Sequence, residues 1–227
     1  MKITLFLPVR NEIEGVKATM PRIDRGWVDQ VVVVDGNSTD GTYEYFQDYD
    51  CDLVRQRSSG ICGAYWECLE VATGDIIIPF SPDNNSLPEL IPQLIQEMRQ
   101  GYDMVIVSRY RDGAKSLDDT PVTAFGNWMF TKTVNVLFGG RYTDTLVMFR
   151  AFKKSIVEEL GLDERRHPVF EMQLAIKCAK HHRRTTEIPG DEPPRIGGTS
   201  KMHPIYNGAT ICYIILKEWL SGRAPRG

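Results

Sequence analysis

Cysteine is scarce and unpaired in its spacing: five residues, at 51, 62, 68, 178 and 212 of 227, with no Cys-x-x-Cys among them. An odd count without that spacing favours a reducing cytoplasm over a disulfide framework. The four histidines never fall into His-Glu-x-x-His, which argues against a zinc hydrolase. No run of about 20 apolar residues exists, so no segment is long enough to span a bilayer. The apolar stretch from Met1 to Val9 is interrupted by Pro8 and lacks a cleavage site, so it does not read as a signal peptide. Gly-x-Gly-x-x-Gly is missing after the first apolar run, and Gly-x-x-x-x-Gly-Lys is missing throughout. Those absences exclude a dinucleotide-binding Rossmann domain and a P-loop phosphotransferase. A positive excess is lacking too: 27 Lys and Arg stand against 30 Asp and Glu, net −3, so no nucleic acid is expected as a partner.

What is present is enough apolar material for a sizeable core. At 42% hydrophobic and 25% charged residues, the 227-residue chain fits one folded domain. Charge is uneven along it. Residues 1–100 carry 8 Lys/Arg and 16 Asp/Glu, net −8, whereas residues 101–227 carry 19 and 14, net +5. Solvated surface alone accounts for such a split; so does an acidic half that holds a metal beside a basic half that meets phosphate.

Continuous apolar runs at Ile3–Val9, Val31–Val34, Ile76–Phe80 and Met104–Val107 predict strands buried on both faces, as in a parallel sheet. Between them, Thr42–Asp48 and Gly63–Thr73 have helical spacing, and Leu87–Arg99 places apolar residues at 87, 90, 91, 94, 95 and 98. The alternation predicts an α/β fold with an open, mostly parallel sheet. Beyond about residue 120 helices dominate, over roughly 122–138, 153–161 and 169–182, with a strand expected at Tyr142–Phe149 and a long loop at 189–204.

Ligands of such sheets collect at the carboxyl ends of the strands. Three polar loops fall there: Pro8-Val9-Arg10-Asn11-Glu12, Asp35-Gly36-Asn37-Ser38-Thr39-Asp40-Gly41-Thr42, and Ser81-Pro82-Asp83-Asn84-Asn85-Ser86. A carboxylate directly after a buried strand has a rigid base and an open mouth, which suits a nucleotide or a divalent cation. These are also the residues of ordinary turns, and Asp40 or Ser86 would serve equally to cap the next helix.

With these loops in view, the chain resembles the family 2 glycosyltransferases of the GT-A fold, and within them the polyprenyl-phosphate branch typified by dolichyl-phosphate mannose synthase. Leu7-Pro8-Val9-Arg10-Asn11-Glu12 is similar to that family's Pro-x-Tyr-Asn-Glu, with Arg10 in place of Tyr. Val34-Asp35-Gly36-Asn37-Ser38-Thr39-Asp40-Gly41-Thr42 resembles Val-Asp-Asp-Gly-Ser-x-Asp-Gly-Thr, with Gly36 for the second Asp. Gly60-Ile61-Cys62-Gly63-Ala64-Tyr65 and Ala72-Thr73-Gly74-Asp75 resemble the stretch leading to the metal strand, and Ser108-Arg109-Tyr110 matches Ser-Arg-Tyr. Asp144-Thr145-Leu146-Val147-Met148-Phe149-Arg150 resembles Asp-x-x-Ser-Gly-Phe-Arg. Glu187-Ile188-Pro189, Arg195 and Gly198-Thr199-Ser200-Lys201 resemble Glu-Val-Pro followed by Arg-x-x-Gly-x-Ser-Lys. The motifs occur in the family's order from Ile3 to about Lys201.

The resemblance implies an inverting transferase taking a sugar from a UDP- or GDP-linked donor, with donor contacts from Pro8, Val9, Arg10, Asn11, Glu12, Asp35, Asn37, Ser38, Gly60, Ser81 and Asp83. The family's Asp-x-Asp falls on Ser81-Pro82-Asp83, so one carboxylate is lost. Asp83, with Asn85 where the branch has an amide ligand, is then expected to hold Mg2+ or Mn2+, weakly until the nucleotide arrives. A polyprenyl phosphate acceptor arrives ionised and needs cations rather than a base. Arg109, Arg150, Arg195 and Lys201, with Ser200 as a hydrogen-bond donor, hold those positions by family pattern. A glycan hydroxyl as acceptor would instead need a base, for which Glu171 is the candidate, although a carboxylate in a helix's first turn has a structural use as well. Asp83, Arg109 and Glu171 make up the catalytic set on this reading. A nucleotide-sugar-binding domain without transfer is the third possibility.

In this division residues 1–115 bind the nucleotide sugar, 116–204 bind the acceptor, and 205–227 form a tail. Its apolar core, Ile211–Leu216, is followed by Lys217, Trp219, Arg223 and Arg226. That pattern suits a helix lying along the inner face of a membrane in peripheral contact, and equally one packed on the domain. Lys180-His181-His182-Arg183-Arg184 reads as a phosphate-facing patch or as a basic helix C-terminus opposite its dipole.

Overall fold

Four apolar runs without polar alternation become the buried centre of one sheet. The computed structural model describes residues 1–163, 165, 167, 169–197 and 204–222. The chain runs β1 (Ile3–Val9), α1 (Ile13–Thr19), β2 (Gln30–Asp35), α2 (Thr42–Gln47), β3 (Asp52–Arg55), α3 (Gly60–Val71), β4 (Ile76–Pro79) and α4 (Ile91–Arg99). It continues through β5 (Met104–Ser108), α5 (Pro121–Phe138), β6 (Arg150–Lys153), α6 (Ser155–Glu159), α7 (Phe170–Lys180), β7 (Thr185–Pro189) and α8 (Pro204–Leu220). The seven strands are ordered β3-β2-β1-β4-β6-β5-β7. Every neighbouring pair is parallel except those that involve β6.

Alternate residues of each strand feed two cores. Leu5, Leu7, Val31, Val33 and Ile78 face one side with Val16 of α1 and Leu94 of α4. Phe6, Val32, Val34 and Ile77 face the other with Tyr65 of α3, Ile176 of α7 and Ile214 of α8. Two covered faces are the reason these runs carry no polar alternation. The long α5 has its ends written in sequence: Thr120 and Thr123 form a reciprocal capping box, Pro121 opens the first turn, and Gly139 closes it in the left-handed region at φ 76°.

The strand order matters for function. From β1 the chain moves outward to β2 and β3, then returns to place β4 on the other side of β1. Such a reversal opens a crevice between the carboxyl ends of the two central strands, here β1 and β4.

Two edge strands, β3 and β7, carry polar sequence and show no apolar run. The strand expected at Tyr142–Phe149 is not formed; the strand lies at Arg150–Lys153 instead. The reason is local competition for the backbone. The N–H of Tyr142 goes to Asn135 Oδ1, those of Thr143 and Asp144 to Glu187, that of Thr145 to Thr131 Oγ1, and those of Leu146 and Val147 to Asp144 Oδ1. Six consecutive donors satisfied by side chains leave none for a ladder. Glu187, on β7, accepts from Thr143 N at 2.8 Å, Thr143 Oγ1 at 2.6 Å and Asp144 N at 3.2 Å. Glu187→Ala would orphan these donors and is expected to lower stability by about 1–3 kcal/mol, read as a lower urea midpoint at unchanged slope.

Candidate functional site

The crevice between β1 and β4 is lined by the two loops that follow those strands. Glu12 enters from the first and Asp83 from the second. Both are buried, Asp83 to 1% exposure. Asp83 Oδ1 accepts the Asn85 N–H at 3.0 Å, and its Oδ2 meets Arg195 Nη1 at 2.7 Å. The same Nη1 lies 3.3 Å from Glu12 Oε1. A guanidinium from the loop after β7 therefore bridges the two carboxylates across the crevice.

Backbone contacts fasten that loop. Asn84 Nδ2 donates to Pro194 O at 2.9 Å, Asn85 Nδ2 to Pro193 O at 3.3 Å, and Ile196 N to Asp83 O at 2.8 Å. Gly15 of α1 faces the same place: a Cβ there would come within 2.7 Å of Pro82 O, 2.8 Å of Asp83 Cα and 2.9 Å of Ile196 O. Helix α1, the β4 loop and the β7 loop meet at this glycine with no room for a methyl group.

The first two loops are knitted together by their own side chains. Asn11, at φ 54°, accepts the Thr39 N–H at 2.8 Å and donates its N–H to Ser38 Oγ at 3.0 Å; Asn37 Nδ2 reaches Gln56 O at 3.3 Å. Asn11, Asn37 and Ser38 thus shape the pocket. Asp40 accepts from Thr42 and Ile13; burial opposes its ionisation, but these bonds prevail and its carboxyl sits below the usual range. That is the helix-cap reading of Asp40. Asp35 differs. It is fully buried, one oxygen accepts the Ser38 N–H at 3.0 Å, and Oδ1 has no hydrogen-bond partner. A buried oxygen left without a donor is uncommon in a folded chain. Arg10 is exposed and lies across Gly36, where a Cβ would sit 3.1 Å from Arg10 Cβ. The two departures from the family pattern near β1 and β2 are therefore in contact. Val9 is a core residue that brings only its backbone to the site, Pro8 precedes it half-buried, Ser81 is half-buried at the start of the β4 loop, and Gly60 opens α3 at φ 77°.

The cations that the resemblance assigns to the acceptor separate. Arg195 is at the crevice. Arg109 is enclosed: Nε and Nη2 grip Asp144 at 2.7 and 3.1 Å, and Nη1 meets Glu192 at 3.2 Å. Burial would lower the guanidinium pKa, yet Asp144 and Glu192 hold it fully charged. Arg150 corrects the sequence expectation. It is fully buried and donates to the carbonyls of Val147, Thr145 and Glu171, so it pins the 144–149 loop to α7 and offers nothing to a phosphate. Its position at the start of an internal strand gave no hint of this. Glu171 is buried in the first turn of α7, where its charge, after burial, helps push the Tyr65 hydroxyl well up. Ser200 and Lys201 lie outside the described residues. The basic cluster after α7 is a helix end: Lys180 bonds Glu218 of α8 at 3.1 Å, and Arg183 bonds Glu159 at 2.7 Å. Glu192 and Asp119, which enclose Arg109, carried no motif.

Oxygen donors suited to a hard cation are present. Besides Asp83 Oδ2, Asn85 Oδ1 is buried with no hydrogen-bond partner. Among the described residues no three His, Cys, Asp or Glu side chains gather around one point. The set fits Mg2+ or Mn2+ sharing its ligands with a diphosphate and does not fit a cage built by protein alone.

Asp144 yields a pH prediction. Burial opposes its ionisation, but Arg109 and neighbouring N–H groups outweigh it and hold the carboxyl below its ordinary value. A depressed folded pKa gives stability that is present above the unfolded value, about 3.9, and is lost as pH falls through the folded one. Glu187 and Glu192 act oppositely: burial leads and leaves both raised, so their share is lost as pH rises through the raised values. Asp144→Asn is expected to lower stability at pH 7 by about 3–5 kcal/mol and to flatten the loss below about pH 4, measured by urea unfolding across pH.

With the geometry in hand, comparison with known proteins is informative. Residues 4–161 match Glycosyl transferase family 2. A dolichol-phosphate mannosyltransferase of Pyrococcus furiosus is 28% identical over 222 residues, covering 89% of this chain and 59% of its own length. An undecaprenyl-phosphate mannosyltransferase of Micrococcus luteus is 27% identical over 216 residues, covering 89% and 88%. This chain thus spans less than two thirds of the first of these relatives. A glucosyl-3-phosphoglycerate synthase from Mycobacterium tuberculosis, crystallised with Mn2+, UDP and phosphoglyceric acid, superposes with a TM-score of 0.74 at 19% identity over 100% of this chain and 80% of that one. That likeness shows the GT-A fold. The family match takes in well over half of the 227 residues, and the chain belongs to glycosyl transferase family 2.

Proposed function

We propose that this chain moves a sugar from a nucleoside diphosphate to a polyprenyl phosphate. The observation that carries the reading is the Arg195 bridge. It brings a cation from the distal, acceptor half onto the Asp83 carboxylate of the donor half at the crevice where this fold binds its ligand. Relatives whose names specify dolichol and undecaprenyl phosphate supply the acceptor class.

The residues divide as follows. Asp35 Oδ1 accepts a hydrogen bond from the nucleoside, with Arg10 across Gly36 beside it. Asp83 and Asn85 hold the diphosphate end through Mg2+ or Mn2+, which when bound would offset the charge that develops on the leaving group. Arg195, with Ser200 and Lys201 by family position, holds the acceptor phosphate. Because the second phosphate pKa is about 6, its oxygen is already ionised and attacks the anomeric carbon without a protein base. Arg109 acts through Asp144 and Glu192, as a positioning residue. Glu171 keeps a structural role.

A lipid acceptor agrees with the outer faces of α5 and α8. Val122, Phe125 and Trp128 on α5 and Leu216, Trp219 and Leu220 on α8 are each more than half exposed. The two helices are in contact. The inner face of α8 packs on the domain through Ile211, Ile214 and Ile215, so the tail is both packed and amphipathic. No helix among the described residues is long and apolar enough to cross a membrane, and we assign these faces to peripheral contact with the bilayer that carries the acceptor.

Incubation with UDP- and GDP-sugars, undecaprenyl or dolichyl phosphate and Mn2+ is expected to give a glycosyl phospholipid detectable by mass spectrometry. Asp83→Ala should reduce turnover at least about 100-fold. Product only on a glycan hydroxyl, abolished by Glu171→Gln, would replace this reading with the hydroxyl acceptor. Trp128→Ser with Trp219→Ser should cut co-sedimentation with anionic vesicles while leaving the thermal midpoint within about 2 °C, since surface changes alter stability little.

A further inference from the structure

A cation of the chain is already on one oxygen of Asp83. Oδ1 is taken by the Asn85 N–H at 3.0 Å, and Oδ2 meets Arg195 Nη1 at 2.7 Å. The guanidinium also neutralises Glu12, at 3.3 Å. Two carboxylates so buried require positive charge when no ligand is present, and among the described residues Arg195 supplies it to both. The pairing is incomplete, however. Arg195 Nε is buried with no acceptor, and Asn85 Oδ1, beside the same carboxylate, is buried with no donor. Neither atom is satisfied while the arginine is the cation, and a divalent ion with its water and diphosphate oxygens would satisfy the amide oxygen directly.

Resting on the functional reading above, we propose that Arg195 is a built-in counter-ion that the divalent cation displaces from Asp83, so that donor loading itself frees the guanidinium for the acceptor anion. Two cations on one carboxylate oxygen repel, so metal and arginine compete for Oδ2, and the diphosphate tips that competition toward the metal by adding its own oxygen ligands. The loop need not open for this exchange. Its backbone stays clasped through Asn84, Asn85 and the Ile196 N–H, and only the Arg195 side chain swings. The consequence is an order of binding: nucleotide sugar with its metal first, acceptor phosphate second. An empty donor site keeps the acceptor's cation occupied.

The test is the affinity for Mn2+ alone, read by loss of the free-ion electron paramagnetic resonance signal. Arg195→Gln is expected to bind Mn2+ at least tenfold more tightly than wild type without nucleotide, Arg195→Lys to stay close to wild type, and Asp83→Asn to bind in neither state. Saturating UDP or GDP should shrink the advantage of Arg195→Gln. Equal or weaker nucleotide-free binding by Arg195→Gln, with Mn2+ still taken up by wild type in the presence of nucleotide, overturns the displacement alone. No Mn2+ uptake by wild type even with UDP and GDP overturns the donor-site reading as well. A measurement on the unaltered protein stands independently of how the variants fold: phenylglyoxal labelling of Arg195, mapped by mass spectrometry, should be several-fold faster with Mn2+ and nucleotide than without. Unchanged or slower labelling overturns the proposal.

Discussion

A carboxylate placed at the end of a strand buried on both faces has lost most of its water, and a positive charge must take the water's place. Asp83 is in that position by construction. β4 is enclosed between β1 and β6, the chain turns sharply after Pro79, and the side chain lands in the crevice that the reversal of strand order opens. Glu12 arrives at the same crevice from β1. The resulting pair of buried acids has to be answered from elsewhere in the molecule, and the answer comes from 183 residues away in sequence, counted from Glu12 to Arg195. One ion-pair cluster thus ties the loop after β7 to the loops after β1 and β4. The glycine at position 15, the asparagines at 84 and 85 and the loop after β7 are all shaped to permit it.

A second polar network is built around Arg109, Glu187 and Arg150. Arg109 is enclosed by Asp144 and Glu192, Glu187 gathers the N–H groups of residues 143 and 144, and Arg150 gathers three carbonyls of the same region. The loop at 142–149 is therefore defined as firmly as a strand without being one. Buried networks of this kind are costly when incomplete and specifying when satisfied. Here nearly every donor has a named acceptor. The bridge from Leu117 N to Glu192 O, at 2.9 Å, carries the order onward to the segment that leads into α5, and hence to the exposed aromatic face.

Sequence alone exposed the parts of this design that burial dictates. β1, β2, β4 and β5 are legible because a strand covered on both faces must be apolar at every position. The three loops at their ends are legible because polar turn residues after such runs have few other places to be. β3 and β7 were hidden because edge strands need only a ladder on one side, and Thr185-Thr186-Glu187 shows none of the alternation that marks a half-buried strand. The segment 142–149 misled in the other direction: Tyr142 and Phe149 are buried core, but the N–H groups of 142–147 are taken by side chains, some as near as Asp144 and some as far as Glu187. Arg150 is the sharpest miss. An arginine after an apolar run reads as a surface cation, and only three convergent carbonyls reveal that it is interior. Arg195 was singled out by motif, but nothing in sequence spacing indicates that it rests on Asp83.

The departures from the family pattern follow one direction. Arg10 stands for a tyrosine, Gly36 for an aspartate and Ser81 for an aspartate, and each replacement moves the donor end one charge toward positive, three in all. They are not scattered. Arg10 lies over Gly36, so the first two are a single packing solution: an aspartate side chain at 36 would begin 3.1 Å from the arginine's own Cβ. Ser81 precedes Asp83 on the same loop and leaves two carboxylates, Glu12 and Asp83, to be balanced by one guanidinium. With a third carboxylate at 81 the arginine could not neutralise the cluster, and a resident ion would be needed to hold the empty site together. With serine there, the two carboxylates that Arg195 touches carry one negative charge fewer than the family's pattern would put beside it. The charge pattern of the pocket and the geometry of the bridge point the same way: among the described residues Arg195 is the guanidinium that touches both Glu12 and Asp83.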